Sequence, residues 1–232
     1  MSKPHKTRST ESFYGRRKGQ QLRGRKLRVM DELLPKLRFD VSTPLIGNLA
    51  DTFAGPAAKT HLEIGFGGGE HLAHQASTHP DINFIGVEPF INGMAKILGR
   101  IEDDGLTNIR LYDDDATQLL DWLPAECLDQ VDLLYPDPWP KKRHWKRRFV
   151  SQVNLERIWS KLKPGGRFRF ASDIDTYINW TLQHIHQHGK FSWTAQAAPD
   201  WNEPWHDWVR TRYEAKAIRE SRPPCYLVFE KL

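Results

Sequence analysis

From residue 58 onward the chain alternates between short apolar runs and stretches with apolar residues at helical spacing. "THLEIGFGGG" predicts a strand running into a glycine loop, and "EHLAHQASTH" a helix behind it. "INFIGVEPF" is a second strand, closed by Pro89, before the helix "INGMAKILGRIEDDG" and its stop at Gly105. "NIRLYDDDA" and "QVDLLYPDPW" read as third and fourth strands, with the short helix "TQLLDWLP" between them. "RFVSQVNLERIWSKLKPGG" reads as a helix with a glycine stop. "RFRFASD" is then a fifth strand and "IDTYINWTLQHIHQHG" a helix. "FSWTAQ" and "CYLVFEKL" supply two more strands. Upstream, Val29 to Phe53 predicts short helical pieces broken at Pro35 and Pro44.

Strands separated by helices form right-handed βαβ units. The expected fold is therefore α/β, with a mostly parallel seven-stranded sheet and helices on both faces. A chain of 232 residues suits one such domain, expected over 29–232, preceded by a flexible basic arm over 1–28. No apolar run approaches the roughly 20 residues of a membrane helix. "MSKPHKTRSTESF" lacks the apolar segment of a signal peptide. Cys127 and Cys225, the two cysteines, form neither a metal pattern nor a disulfide framework. The expected setting is a reducing cytoplasm.

The net charge of +5 is unevenly placed. Residues 1–28 hold ten Lys or Arg and one Glu, and residues 141–148 hold six more cations, so the rest of the chain is acidic. Two basic clusters on an acidic body point to a polyanionic partner, against the plainer reading of a solvated tail and a charged loop.

In a parallel sheet ligands lie outside the C-terminal strand ends. The unusual residues fall there in order: Glu63 to Gly69, Glu88, Asp115, Asp137 and Asp173. Gly65, Gly67 and Gly69 permit a tight turn and close backbone approach. A nicotinamide fingerprint requires glycine where this chain has Glu70, and a carboxylate there opposes a pyrophosphate. Glu88 suits ribose hydroxyls, and Asp115 an adenine amino group. S-adenosylmethionine has the ribose, the adenine and two cationic groups without a phosphate, so it fits this acidic crevice.

"DLLYPDPWPKKRHWKRRF" joins an apolar strand to the second basic cluster through Asp137, pinned between Pro136 and Pro138. The prolines stiffen the loop and aim the carboxylate. Trp139 either packs beneath it or stacks on a base. Cations at a helix start oppose its dipole, which favours a binding role for the run.

Together "EIGFGGG", "GVEPF", "DDDA", "PDPWPKKRHWKRRF", "ASDIDTY" and "TRYEAKAIR" resemble, in order, the motifs of the bacterial tRNA (guanine-N7)-methyltransferases over roughly residues 58–230. "PDPWPKKRH" is the most specific of these; the glycine loop alone marks only the wider methyltransferase class. The resemblance implies a Rossmann-like class I methyltransferase that uses S-adenosylmethionine to form N7-methylguanosine in the tRNA variable loop. It implies cofactor contacts at Glu63, Gly65, Gly67, Glu88, Asp115 and Asp137, with Asp137 also catalytic. It implies substrate contacts at Lys141, Asp173, Thr211, Arg212, Tyr213 and Glu214, and an RNA-contacting run of Arg143, His144, Trp145, Lys146, Arg147 and Arg148. The chain reads "TRYE" where many members have Thr-Lys-Phe-Glu. Members occur as monomers and homodimers.

Guanine N7 carries a free lone pair, so methyl transfer to it needs no general base. The expected work is positioning and stabilising the cation that develops on the purine, by Asp137 or Asp173. Asp173 also suits the N-cap of the helix that follows. The histidines of "HLAH" and "HIHQH" make no metal set. Trp193, Trp201, Trp205 and Trp208 read as a packed cap. The alternatives are a methyltransferase for another RNA or a small molecule, which leaves the basic clusters unexplained, and a non-catalytic RNA-binding module, which leaves the strand-end acids unexplained.

Overall fold

The computed structural model describes residues 14–55 and 57–232. Seven strands form one sheet: β1 (Lys59–Ile64), β2 (Ile82–Val87), β3 (Ile109–Tyr112), β4 (Leu128–Leu134), β5 (Leu162–Ser172), β6 (Phe191–Trp193) and β7 (Cys225–Lys231). Their order is β3-β2-β1-β4-β5-β7-β6, parallel from β3 to β5, with β7 antiparallel to both neighbours. The five parallel strands are covered on both faces, which is why they read as apolar runs with little alternation. Phe84 and Ile85 are adjacent on β2 yet join different buried clusters, as strand alternation requires.

One cluster is closed by α3 (Glu70–Thr78) and α4 (Ile91–Asp104), through Leu72, Met94, Ile97 and Leu98. The other is closed by α5 (Ala116–Trp122), α6 (Gln152–Lys161) and α7 (Asp175–His188), through Leu119, Leu155, Ile158 and Tyr177. The chain order reverses between β1 and β4, so the crevice above those two strands is the topological switch point.

The expected division at 28/29 falls inside α1 (Arg25–Glu32), which is followed by α2 (Leu34–Leu37). Val29, Leu34 and Leu37 join the cluster beneath α4, and Arg25 pairs with Glu102 and Asp103 on that helix. Residues 1–13 of the expected arm lie outside the described residues. Pro35 occupies the first turn of α2, where its missing N–H is harmless, so it opens that helix and does not break it.

Two boundaries differ from the sequence expectation. α6 begins at Gln152 because Ser151 caps it, its hydroxyl accepting the Asn154 amide at 3.3 Å. The preceding cations at 142–147 form a separate 3-10 turn, so they do not load the first turn of α6. α6 also ends at Lys161, and "LKPGG" belongs to β5: Leu162 pairs with Leu128, and a register shift accommodates the extra residues before Arg167 pairs with Gln130. Near the C-terminus lie α8 (Pro199–Asn202) and α9 (Arg212–Arg219). Trp205, Trp208 and Tyr226 pack edge to face, and Trp193 packs against Trp201, so the four tryptophans expected in one cap fall into two aromatic groups.

Candidate active site

A cavity of about 610 Å³ opens above the ends of β1, β2 and β4. Gly65, Gly67, Glu88, Asp115 and Asp137 all line it. Gly67 has φ 61°, in the left-handed region that favours glycine, and an added Cβ there meets the Tyr213 ring at 3.1 Å. Gly93 lets the first turn of α4 approach the same loop, since a Cβ on it would lie 2.1 Å from the Gly67 carbonyl oxygen.

Glu88 holds this loop from the end of β2. Its Oε2 accepts the Gly67 amide at 2.7 Å and its Oε1 accepts the Phe90 amide at 2.9 Å. Burial pushes the Glu88 carboxyl up, and the two amides pull it back in part. Asp115 caps α5, with Oδ1 accepting the Thr117 amide at 3.0 Å, and both residues face the cavity. The Glu70 carboxylate folds back over Gly68, with Oε1 2.3 Å from where a Gly68 Cβ would stand, so negative charge stays at the start of α3. An acidic wall and a close-approaching glycine loop suit a cationic nucleoside and disfavour a pyrophosphate. The donor set therefore fits S-adenosylmethionine.

Asp137 follows β4 and is solvent-exposed within this open cavity. The surrounding walls still desolvate it enough to raise its carboxyl above the ordinary aspartate value. Tyr135 (φ 49°) and Trp139 (φ 45°) are in the left-handed region on either side of it. Non-glycine residues in that region cost about 1–3 kcal/mol each and persist where the surroundings fix them.

Glu63, Asp173, Thr211 and Glu214, also named from sequence, sit outside the cavity lining. Glu63 is buried behind the glycine loop, its Oε2 2.9 Å from His71 Nδ1. Asp173 does not cap α7, whose N-cap is Ile174; its Oδ2 accepts Arg222 Nε at 2.5 Å. Thr211 caps α9 by accepting the Glu214 amide at 3.1 Å. Glu214 is buried and accepts Trp208 Nε1 at 2.7 Å and the Tyr226 hydroxyl. Tyr213 enters the cavity lining, with the Arg212 guanidinium 4.8 Å from its ring centre.

The basic run divides by exposure. Lys141, Lys142, Arg143 and Lys146 are exposed. His144 and Trp145 are half-buried; the His144 ring is parallel to Trp139 at 6.1 Å, and Trp145 Nε1 donates to the Pro140 carbonyl at 3.3 Å. Burial and the surrounding cations Arg147, Arg143, Lys141 and Lys146 lower the His144 pKa. Arg147 is gripped between the Tyr14 and Trp139 rings, 5.0 and 4.9 Å from their centres. Arg148 is buried.

Sequence reasoning missed Tyr14, Gly15 and Arg16, which also line the cavity. The Arg17 carbonyl accepts the Ile91 amide at 3.0 Å, and Asn92 Nδ2 donates to the Gln20 carbonyl at 2.8 Å. Nothing periodic marks this segment; an aromatic beside a glycine in a basic stretch is its one unusual trait. Among the described residues, no group of three His, Cys, Asp or Glu is placed to hold a metal ion. No helix among them is long and apolar enough to cross a membrane.

A family model described as "Putative methyltransferase" matches residues 57–226. A tRNA (guanine-N(7)-)-methyltransferase of Rhizobium meliloti (strain 1021) is 58% identical over 231 residues, covering 100% of both chains. A protein of the same name from Agrobacterium fabrum is 58% identical over 229 residues, 99% of each. In three dimensions, a "putative methyltransferase" from Streptococcus mutans, solved in complex with SAH, aligns with a TM-score of 0.50 at 12% identity. That alignment covers 76% of this chain and 90% of the other, and it shows the shared α/β methyltransferase fold.

Proposed function

The chain belongs to the tRNA (guanine-N7)-methyltransferase family, and we propose that it methylates N7 of a guanine in the tRNA variable loop with S-adenosylmethionine as donor. The observation that carries this reading is convergence. Four features separated in sequence, the loop at Gly65–Gly67, Glu88, Asp115 and Asp137, line one cavity, and Lys146 and Arg147 stand on its wall. A site for a small molecule alone has no need of the cations.

Each residue then has a role. Gly65 and Gly67 admit the donor against the backbone, Glu88 accepts from its ribose, and Asp115 marks the adenine end. Bound there, the donor supplies an electrophilic methyl on a sulfonium. Asp137 lines the same cavity, four residues before the basic run begins at Lys141. It orients the guanine through the base's N–H edge and stabilises positive charge as it develops on the purine. It removes no proton, because N7 has none to lose. Tyr213 closes the glycine-loop side. Lys141, Lys142, Arg143 and Lys146 meet the RNA backbone.

The test is to incubate the protein with unmodified tRNA and methyl-labelled S-adenosylmethionine, then map the label by cleavage at N7-methylguanine. The expected label lies in the variable loop and disappears with Asp137→Ala. Label elsewhere on the tRNA would keep the methyl transfer and discard the position. No label on any tRNA would discard the substrate.

A further inference from the structure

Six cations crowd 141–148, and a charge count treats them alike. The structure does not. Arg148 is 3% exposed, the only one of the six that is buried. Its Nε donates to the Pro138 carbonyl at 2.9 Å. Its Nη1 donates to the Thr176 carbonyl at 2.7 Å, and its Nη2 to the Thr176 hydroxyl at 3.0 Å. The guanidinium plane lies among three rings, 4.4 Å from the centre of Trp145, 4.7 Å from Tyr177 and 5.5 Å from Trp180. Arg148 reaches the cavity lining beside Lys146 and Arg147, but with 3% of its surface exposed and its donors spent on Pro138 and Thr176 it presents little to a phosphate.

What Arg148 does touch is informative. Pro138 is the residue after Asp137, and Thr176 sits in the first turn of α7, whose next residue, Tyr177, is fully buried. The same helix holds the far end of the segment, where Trp180 Nε1 donates to the Val150 carbonyl at 2.7 Å. Arg148 therefore ties the Asp137 loop to a rigid element of the core. A planar fork with several fixed donors suits that task, and a lysine, a point charge with rotatable donors, does not reproduce it.

We infer that Arg148 is a positioning residue: it fixes the loop that carries Asp137 and is not a phosphate contact. This rests on the role given to Asp137 above. Displacing a reacting group by about 1 Å can cost roughly 100-fold in rate, so a loosened loop should act on the chemical step more than on tRNA affinity.

The experiment compares Arg148→Lys with Arg143→Ala in the full chain. Three quantities are read: the single-turnover rate at saturating tRNA, the salt dependence of tRNA binding, and amide exchange over residues 135–142. For Arg148→Lys we expect a rate at least about tenfold lower. Its tRNA affinity and salt slope should match wild type, and exchange over 135–142 should be faster. For Arg143→Ala the log–log salt slope should become shallower by about one. If Arg148→Lys does not fold, Thr176→Ala removes one acceptor from the other side and should lower the rate with unchanged tRNA affinity. A normal rate and normal exchange in the variant that folds would overturn the inference. So would an Arg148→Gln protein with a normal rate and a salt slope shallower by about one. If wild type itself methylates no tRNA, the proposed function fails, and the exchange comparison still decides whether Arg148 fixes the loop.

Discussion

Glu88 fixes Gly67: a carboxylate on the end of β2 accepts, at 2.7 Å, an amide 21 residues earlier in the chain. Its second oxygen accepts the Phe90 amide at 2.9 Å, so one side chain joins the glycine loop to the start of α4. Each oxygen retains a further lone pair for a ligand in the cavity. Glutamine cannot substitute, because its amide nitrogen would set a donor against a backbone donor. A hydrogen bond to a charged group contributes about 1.5–3 kcal/mol, so Glu88→Gln should weaken S-adenosylmethionine binding roughly 10- to 100-fold. Isothermal titration calorimetry checks this, and unchanged affinity would mean the loop stands without the carboxylate.

Asp137 should show opposite effects on activity and stability. Desolvation raises its carboxyl above the ordinary value, so the folded protein carries an unfavourable charge once that group ionises. A raised folded-state pKa means that the cost is absent below the unfolded pKa and fully present above the folded one. Asp137→Asn should therefore lose methyl transfer about 100-fold or more. It should melt no lower than wild type at pH 7, with any advantage shrinking toward pH 4. Calorimetry beside a transfer assay measures both. A large drop in Tm would show that the carboxylate supports the loop instead.

The acid limb of the rate profile follows from the same groups. Glu88 and Asp137 both have raised carboxyl pKa values, and both act ionised. Activity should fall with acidification sooner than two ordinary carboxylates would allow, and should stay flat from neutrality upward because N7 attack needs no base. A full unit slope through neutrality that vanishes in Asp137→Asn would assign proton removal to Asp137.

Salt should reveal how many cations reach the RNA. The four exposed members of the run are Lys141, Lys142, Arg143 and Lys146. Four phosphate contacts predict a log–log slope of about −3 for tRNA binding. Filter binding across a salt series measures it, and a slope near zero would leave the run without an electrostatic role.

The strand ends were legible in the sequence because a parallel sheet forces apolar runs, and the residues that stop those runs are the ones that line the crevice. Glu88, Asp115 and Asp137 could be read in order for that reason. What lay outside the sequence was direction and depth. Glu63 stands on β1 like the others, yet it turns toward His71 behind the loop. Arg147 and Arg148 are adjacent and chemically identical, yet one is held between Tyr14 and Trp139 and the other is enclosed under Pro138. The "KPGG" segment resembled a helix stop because Leu162 pairing with Leu128 is a contact between distant residues, which no local signal reports. The same holds for the N-terminal segment, where composition predicted a flexible basic arm and gave no sign that Tyr14, Gly15 and Arg16 line the cavity.

That segment gives the last prediction. Tyr14 packs edge to face with Trp139 at 6.4 Å and shares Arg147 with it, so this irregular segment and the basic run meet at the cavity wall. Asn92 and Ile91 hold the segment from the start of α4 through the Gln20 and Arg17 carbonyls. A cover of this kind slows ligand escape more than ligand entry. Cation–π contacts of this sort contribute about 0.5–2 kcal/mol, so Tyr14→Ala should raise the dissociation rate of S-adenosylmethionine roughly 2- to 30-fold with a smaller change in association. Stopped-flow displacement measures the two rates separately. Should association change instead while dissociation holds, the segment would be shaping the entrance and not closing the site.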